Sequence, residues 1–190
     1  MTAPSRLPDP RLAEAIWRPY IEDIALACAA RQPEEDAALV AAIGLRETIL
    51  GTVSDYIVPP GAPRWMGTGD HGHGRGLFQI DDRGPFSYLI PRPGEGWTPF
   101  VQACSAIAVL EDARRSLELE ADDPLHERGV VAAYNCGAGV ARTALRAGKD
   151  PDFWTTGRNY GRDVLSLRDG LRALFPETFP LPAVQALAAT

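Results

Sequence analysis

The sequence predicts a mainly α-helical fold, an α+β arrangement in which a helical domain carries one small, irregular β-sheet. Several stretches repeat apolar residues at three- and four-residue steps, which is the period of a helix face. A glycine-rich segment, residues 51–76, interrupts these stretches and leads into a short apolar run typical of a strand. With 190 residues, 45% of them hydrophobic, the chain is long enough for one domain with a substantial core.

The first helix is predicted over residues 11–31, which follow Pro8 and Pro10. Its apolar face consists of Trp17, Tyr20, Ile21, Ile24 and Cys28. We interpret residues 1–32 as an N-terminal helical extension of a single domain whose main part spans about residues 35–175.

A second helix is predicted over residues 33–50, because Pro33 and the three acids that follow it suit a helix N-terminus. Its apolar stripe consists of Leu39, Val40, Ile43 and Leu50. Glu47 lies on the same stripe, where burial would disfavour the ionised carboxylate and raise its pKa. A carboxylic acid that stays protonated near neutral pH can serve as a general acid. A solvent-facing glutamate at a helix end is the alternative interpretation.

The glycine-rich segment ends with five glycines in ten residues: Gly67, Gly69, Gly72, Gly74 and Gly76. Glycine adopts backbone conformations closed to other residues and lets a ligand approach the chain closely. The run Leu77–Asp81 that follows is predicted as a short strand, so that a small irregular sheet comes after the first pair of helices.

Four further helices complete the prediction. Thr98 as N-cap and Pro99 at the first helical position start a helix that runs to about Leu119. Asp123 and Pro124 start the next in the same way, and it runs to about Asn135. Two more are predicted over residues 138–147 and 159–175, and the tail, residues 176–190, is expected to pack on the surface. The apolar face of the last helix consists of Tyr160, Val164, Leu167, Leu171 and Leu174.

Charge and composition narrow the partners. A net charge of −6 argues against nucleic acid and anionic membranes, and no apolar run is long enough to span a bilayer. The first ten residues lack a hydrophobic stretch of the signal-peptide type, so we expect synthesis in the cytoplasm without a standard export signal. Cys28, Cys104 and Cys136 lack metal-ligand spacing and are interpreted as buried thiols, of which one pair could bridge.

Three acids fall where chemistry is expected: Glu47 near a helix end, Asp70 in the glycine-rich segment and Asp81 at the end of the strand. A loop that returns from Glu47 can bring both aspartates across a cleft from it. One protonated and one ionised carboxylate on either side of a glycosidic bond are the apparatus of glycoside hydrolysis. Turn formation is the alternative role of the two aspartates.

Five motifs occur in order along the chain. They are Gly44-Leu45-Arg46-Glu47-Thr48, Gly69-Asp70, Gly76-Leu77-Phe78-Gln79-Ile80-Asp81, Ala133-Tyr134-Asn135-Cys136-Gly137-Ala138-Gly139 and Asn159-Tyr160-Gly161-Arg162-Asp163-Val164. Over roughly residues 35–170 this set resembles the goose-type lysozymes and the soluble lytic transglycosylases. The resemblance implies a lysozyme-like fold and cleavage of peptidoglycan between N-acetylmuramic acid and N-acetylglucosamine.

The same resemblance implies a role for each matched residue. Glu47 matches the general acid, and Asp70 and Asp81 match the aspartates with which goose-type lysozymes position and activate water. Lytic transglycosylases generally lack that pair, so its presence favours hydrolysis with inversion. The matches to the substrate groove and the surroundings of the acid are Gln79, Tyr134, Asn135 and Tyr160. Both tyrosines lie on predicted helices, where a place in the core is the alternative.

Three positions depart from the family pattern: Thr48 replaces the usual Ser, Phe78 stands where Met is common, and Cys136 stands where Ala is common. The change at Thr48 keeps the hydroxyl, and the change at Cys136 puts a thiol near the groove.

His71 and His73 alternate with glycines beside Asp70, which loosely suggests a metal site without firm ligand spacing. We favour solvent-exposed or sugar-contacting histidines and expect no metal and no cofactor. Trp65 could stack on a sugar face or cap the core. The arginines expected to make this rim locally basic are Arg64, Arg75 and Arg83.

A peptidoglycan muramidase is therefore the function that the sequence favours, with a lytic transglycosylase as the nearest rival. A non-catalytic glycan-binding or structural module of a phage or secretion apparatus is the rival from another class, and a metal-binding role through His71 and His73 is a more distant one. Peptidoglycan strands are the expected partner of a monomer, and a protein inhibitor or immunity partner is compatible with this function. Action at the cell wall would then follow lysis or non-standard export, as for a phage lysin or a secreted effector.

Overall fold

The computed structural model describes residues 10–31, 35–52, 55–92, 95–120 and 123–179. Within these residues the chain is mainly helical, with a small three-stranded antiparallel sheet of order β1-β2-β3. The helices are α1 (Pro10–Arg31), α2 (Ala37–Thr48), α3 (Pro99–Leu117), α4 (His126–Cys136), α5 (Ala138–Arg146) and α6 (Tyr160–Leu174). The strands are β1 (Thr68–Gly69), β2 (Gly74–Arg75) and β3 (Ile80–Asp81). The predicted mainly helical class with one small sheet is confirmed.

Helix α2 begins later and ends earlier than predicted. Asp36 is its N-cap, since the side chain accepts a hydrogen bond from the Ala38 amide at 3.1 Å. Glu35 does not lie in the first turn; its buried carboxylate instead accepts a hydrogen bond from Arg114 on α3 at 2.8 Å. The predicted start at Pro33 falls outside the described residues. The helix stops at Thr48 because the next residue, Ile49, adopts the left-handed conformation.

The predicted strand is shorter than expected. Only Ile80 and Asp81 of the run from Leu77 belong to β3, which pairs with β2 through Gly74 opposite Asp81. Leu77 and Phe78 lie in the turn that precedes β3, and both are fully buried. The glycines before this run supply β1 and β2, which the sequence pattern did not predict as strands. We call residues 67–83 the glycine loop.

The later helices follow the predicted order with small shifts. Thr98 caps α3 by accepting from the Val101 amide at 3.3 Å, and Pro99 is the first helical residue, both as predicted. Helix α4 begins at His126, two residues after Pro124, because Asp123 accepts from the Leu125 amide in a preceding turn. The predicted surface tail lies outside the described residues from 180 onward, while Phe179 belongs to the core.

The core lies between the helices, with α2 packed on α6, α1 on α3, and α4 on α5 and α3. The predicted apolar faces of α1, α2 and α6 contribute to it, including the fully buried Ile24, Leu39, Ile43 and Leu171, and α3 and α4 supply much of the rest. All three cysteines are free thiols; Cys28 is buried, and Cys104 and Cys136 are half-buried. Of the helices in the described residues, none is long and apolar enough to cross a membrane.

Candidate active site

Glu47 lies in the last turn of α2, half-buried, in the wall of a cavity of about 490 Å³. We call this the Glu47 cavity. Burial raises the pKa of the Glu47 carboxyl to about 7, and the Tyr160 hydroxyl and the Arg46 guanidinium oppose this rise. Tyr160 donates a short hydrogen bond to Oε1 of the same carboxylate. A large part of the Glu47 population is therefore protonated at neutral pH.

Tyr160 is the first residue of α6 and is fully buried. Burial and the charge of Glu47 raise its pKa well above the usual value, so the phenol keeps its proton and acts as a donor. The Arg46 guanidinium carbon lies 5.2 Å from the centre of the Tyr160 ring, and Arg46 also pairs with Asp163 on α6 at 3.4 Å. These contacts join the end of α2 to the start of α6 beside the acid.

Asp152 fixes the start of α6. Its fully buried carboxylate accepts from the amides of Gly161 at 2.6 Å and Arg162 at 3.2 Å, two of the donors that a helix N-terminus leaves unpaired. Arg128 on α4 donates to the same carboxylate at 3.0 Å. Since Tyr160 directly precedes the two amides, Asp152 sets the position from which the tyrosine reaches Glu47. Nothing in the local sequence distinguishes Asp152 from a simple turn former beside Pro151, so it was not predicted as a site residue.

Three helices hold the turn of the glycine loop through side-chain hydrogen bonds to successive backbone groups. Thr48 on α2 donates to the Leu77 carbonyl at 2.9 Å, and Gln102 on α3 accepts from the Leu77 amide at 2.7 Å. Tyr134 on α4 donates to the Phe78 carbonyl at 2.9 Å. We call Thr48, Gln102 and Tyr134 the loop clamp. Because Thr48 directly follows Glu47, the clamp fixes the loop relative to the acid.

Gln102 was not predicted as a site residue, although its position in the sequence carries a signal. Gln102 is a fully buried polar residue on the apolar stripe of α3, which is the same kind of signal that drew attention to Glu47. Its amide nitrogen also donates to the carbonyls of Trp65 and Trp97, so every hydrogen-bonding atom of the side chain faces a partner.

Gln79 lies in the left-handed conformation beside β1 and β2, with its amide nitrogen donating to the Gly76 carbonyl at 2.8 Å. Its carbonyl oxygen fills the space over Gly69 and Gly74, where an added Cβ would lie 2.2 and 2.3 Å from it. The two glycines are thus needed for close approach of the Gln79 side chain, which lines the Glu47 cavity.

Asp70 and Asp81 are both exposed, and both line the Glu47 cavity. Arg83 bridges them, donating to Asp70 at 3.1 Å and to Asp81 at 3.2 Å. Hydrogen bonds from Arg83 lower the pKa of Asp81, which is therefore ionised at neutral pH. The described geometry thus brings a protonatable Glu47 and an ionised Asp81 to the same cavity.

The structure brings six of the nine predicted site residues into the lining of this cavity: Glu47, Asp70, Gln79, Asp81, Tyr134 and Asn135. Tyr160 is a seventh that acts on the site, through its hydrogen bond to Glu47. Asn135 accepts from the Thr156 amide at 2.8 Å. Two lining residues that the motifs did not single out for the site are the half-buried Asp112 on α3 and the half-buried thiol Cys136, although the latter was expected near the groove.

His71 and Trp65 do not line the Glu47 cavity. His71 is exposed at a left-handed position of the glycine loop. Trp65 packs edge-on against Tyr20 of α1, with ring centres 6.4 Å apart, and lines a second cavity of about 630 Å³ together with Trp97. Among the residues that the structure describes, no group of three or more His, Cys, Asp and Glu side chains could hold a metal ion.

The rim arginines are engaged in ion pairs or backbone contacts. Arg75 donates to Asp82 at 2.8 Å, and His73 contacts the same aspartate at 3.0 Å. Arg83 is shared between Asp70 and Asp81, as described above. Arg64 reaches the Gly51 carbonyl at 3.5 Å. The prediction that these arginines make the rim basic is therefore wrong for Arg75 and Arg83, because acids of the same loop neutralise both of them.

Comparison with protein-family models gives no match, and no curated protein matches the sequence. Function is therefore inferred from the ordered motifs together with the geometry around Glu47.

Proposed function

We propose that the chain cleaves the β-1,4 bond between N-acetylmuramic acid and N-acetylglucosamine in peptidoglycan, as a muramidase of lysozyme-like fold. The observation that carries the proposal is the carboxyl of Glu47, which has a pKa of about 7 and lies in one cavity with the ionised Asp81. Retaining a proton at neutral pH is the requirement for the acid that protonates a leaving oxygen.

In the proposed reaction Glu47 donates its proton to the glycosidic oxygen as that oxygen leaves the anomeric carbon. Tyr160 holds the carboxyl in position and stabilises the carboxylate that remains, through the hydrogen bond to Oε1. Burial then favours recovery of a proton, since it opposes a charged Glu47.

Water supplies the second half of the reaction. Asp81, Asp70 or both hold a water on the face of the sugar opposite the leaving oxygen, and an aspartate accepts the proton that the water loses as its oxygen bonds to the anomeric carbon. Attack from that face inverts the anomeric configuration. The exposure of both aspartates at the cavity supports access of water to this position.

A specific contact favours the rival, a lytic transglycosylase. Arg83 occupies carboxylate oxygens of both Asp70 and Asp81, and an aspartate whose pKa is lowered is a weaker base. If Arg83 keeps this position when the glycan is bound, the sugar's own C6 hydroxyl can attack in place of water. The product would then be 1,6-anhydromuramic acid, with Glu47 still protonating the leaving oxygen.

Product chemistry tests the proposal. Purified peptidoglycan is incubated with the protein, and the soluble fragments are identified by mass spectrometry. We expect muropeptides with reducing muramic acid ends from wild type, and loss of release in Glu47→Gln. Glu22→Gln changes the same residue type at an exposed position of α1 and should leave release unchanged.

The outcomes separate the candidate functions. A dominant anhydromuramic product replaces hydrolysis by the transglycosylase reaction and leaves the role of Glu47 intact. Binding to peptidoglycan with no fragments released supports a non-catalytic glycan-binding module and overturns both enzymatic proposals.

A further inference from the structure

An aromatic and basic cluster lies outside the Glu47 cavity, in the segment between α5 and α6. Phe153 and the half-exposed Trp154 meet edge to face, with ring centres 4.8 Å apart. The ammonium of Lys149 lies 4.1 Å from the centre of the Phe153 ring, and the Arg158 guanidinium lies 5.1 Å from it. We call Lys149, Phe153, Trp154 and Arg158 the Phe153 surface.

The two cations of this surface are available to a ligand. Both are exposed, and in the described part of the chain no ion pair joins either one to an acid. The nearby acids, Asp150 and Asp152, are both engaged by Arg128. A cation over an aromatic ring is attracted weakly by its face and keeps N–H groups that can donate to another partner.

The local charge is opposite to that of the whole protein. Residues 146–162 contain four basic side chains and two acidic ones, whereas the chain carries a net charge of −6. Two of the four, Arg146 and Arg162, are paired with acids, so the local positive charge depends on the other two cations. Acids of the glycine loop neutralise Arg75 and Arg83, so that rim offers no comparable pair of free cations. An anionic ligand approaching the protein would therefore be drawn to the Phe153 surface.

The backbone of this surface is joined to the wall of the Glu47 cavity. Asn135 lines the cavity and accepts from the amide of Thr156, two residues beyond Trp154. Asp152, next to Phe153, holds the start of α6 and with it Tyr160. The Phe153 surface thus belongs to a segment that is hydrogen-bonded both to the lining of the Glu47 cavity and to the helix that carries Tyr160.

We propose that the Phe153 surface is an accessory binding site for peptidoglycan strands, which carry carboxylates on their muramyl lactyl groups and peptide stems. Lys149 and Arg158 bind these carboxylates, and the half-exposed Trp154 ring contacts a sugar ring. The choice of ligand rests on the proposed function, because the strand that enters the Glu47 cavity is the same polymer.

Retention on insoluble peptidoglycan, stripped of other wall polymers, tests the proposal in a Glu47→Gln background, where turnover does not consume the ligand. The added changes are Lys149→Gln, Trp154→Ala and Arg158→Gln. We expect the triple change to raise the apparent Kd about tenfold, because each exposed charge and the aromatic face contribute a few-fold. Raising the salt concentration from about 0.05 to about 0.5 M should weaken binding by the parent and reduce the difference in apparent Kd between the parent and the triple variant.

The control carries three exposed changes elsewhere on the surface, Arg31→Gln, Arg92→Gln and Tyr88→Ala, and should bind as the parent does. The first of them also removes an exposed ion pair with Glu111. Chitin, an uncharged β-1,4 polymer of N-acetylglucosamine, should show a smaller effect of the two charge changes. Thermal unfolding checks that each variant is folded. If the triple variant is unfolded, the single change Trp154→Ala is tested in its place.

The proposal would be overturned if the parent and the variant with the triple change in the Phe153 surface were retained equally. It would also be overturned if the control variant lost as much binding as the triple variant, or if the parent did not bind. The proposed function is judged separately, from fragments that the wild-type protein releases. If the wild-type protein releases fragments but the changes in the Phe153 surface do not alter retention, the accessory site is refuted and the muramidase proposal is unaffected.

Discussion

Replacement of Tyr160 by Phe removes the one side-chain hydrogen bond given to the Glu47 carboxylate among the described residues, and keeps the buried ring. That bond opposes the effect of burial, so its loss should raise the pKa of Glu47 further. A hydrogen bond to a charged group is worth about 1.5–3 kcal/mol, and one pKa unit corresponds to about 1.4 kcal/mol. The pKa should therefore rise from about 7 to about 8–9.

The pH dependence of kcat/KM on soluble peptidoglycan fragments measures this change. Activity requires the protonated acid, so its basic limb reports the loss of the Glu47 proton. In Tyr160→Phe that limb should move to higher pH, even though the rate itself falls through poorer positioning of the carboxyl. Tyr134→Phe is the matched control, because the Tyr134 hydroxyl donates to the Phe78 carbonyl.

A second readout is independent of substrate. Carboxyl carbon NMR of protein labelled at glutamate follows the titration of Glu47 directly, and Glu47→Gln identifies its signal. A basic limb or a titration that stays in place or moves to lower pH in folded Tyr160→Phe would refute the role given to the hydroxyl. A shift of equal size in Tyr134→Phe would assign the effect to the general loss of polarity near Glu47.

Three further predictions concern stability, and urea denaturation measures each. Glu47→Gln should raise the free energy of unfolding by up to about 3 kcal/mol near pH 8 and should change it little near pH 4. The reason is that a carboxyl whose pKa rises on folding loses its stabilising contribution as the pH rises from 4.5 to about 7. Equal effects at both pH values would contradict this prediction. Thr48→Val should lower the free energy of unfolding by about 1–3 kcal/mol, since the buried Leu77 carbonyl and Gly51 amide lose their partner. The change Thr143→Val at an exposed position should lower it by about 0.5 kcal/mol or less. Asp152→Asn should lower the free energy of unfolding by about 3–5 kcal/mol, because it removes the fully buried charge partner of Arg128. The change Asp150→Asn at an exposed position should lower it by about 1 kcal/mol at most. Similar losses at the two aspartates would contradict the role given to the buried Asp152 carboxylate.

The sequence predicted the features that depend on local periodicity and local capping. The apolar stripes of α1, α2 and α6 and the Thr98 cap of α3 follow from residues a few positions apart. Glu47 was recognised for the same reason, as an acid on an apolar stripe. Gln102 on α3 carried an equivalent signal that was not used.

The features that the sequence did not predict depend on contacts between distant residues. Glu35 looks like a first-turn acid, but the arginine that buries it is 79 residues away. Asp152 looks like a turn former until the start of α6 is placed on it. The closeness of Asp70 and Asp81 depends on Arg83 and on the folded path of the glycine loop, which local propensity does not specify.

Left-handed backbone at residues other than glycine is concentrated in the chain between α2 and β3. Seven described residues adopt it, and five of them lie between the end of α2 and the turn before β3: Ile49, Leu50, Asp70, His71 and Gln79. Each costs about 1–2 kcal/mol relative to a right-handed conformation. The hydrogen bonds of the loop clamp and the burial of Leu77 and Phe78 offset this cost.

Two of these five residues, Asp70 and Gln79, line the Glu47 cavity, although the glycine loop uses glycine at other left-handed positions such as Gly72 and Gly76. Glycine at Asp70 or Gln79 would relieve the strain but would also remove a polar side chain from the lining of the Glu47 cavity. Strained residues that persist where glycine would be easier are typical of sites where the side chain itself is needed. The left-handed backbone at Asp70 is thus compatible with the role proposed for its carboxylate, whereas the Gln79 side chain also has a structural role, since it donates to the Gly76 carbonyl and packs over Gly69 and Gly74.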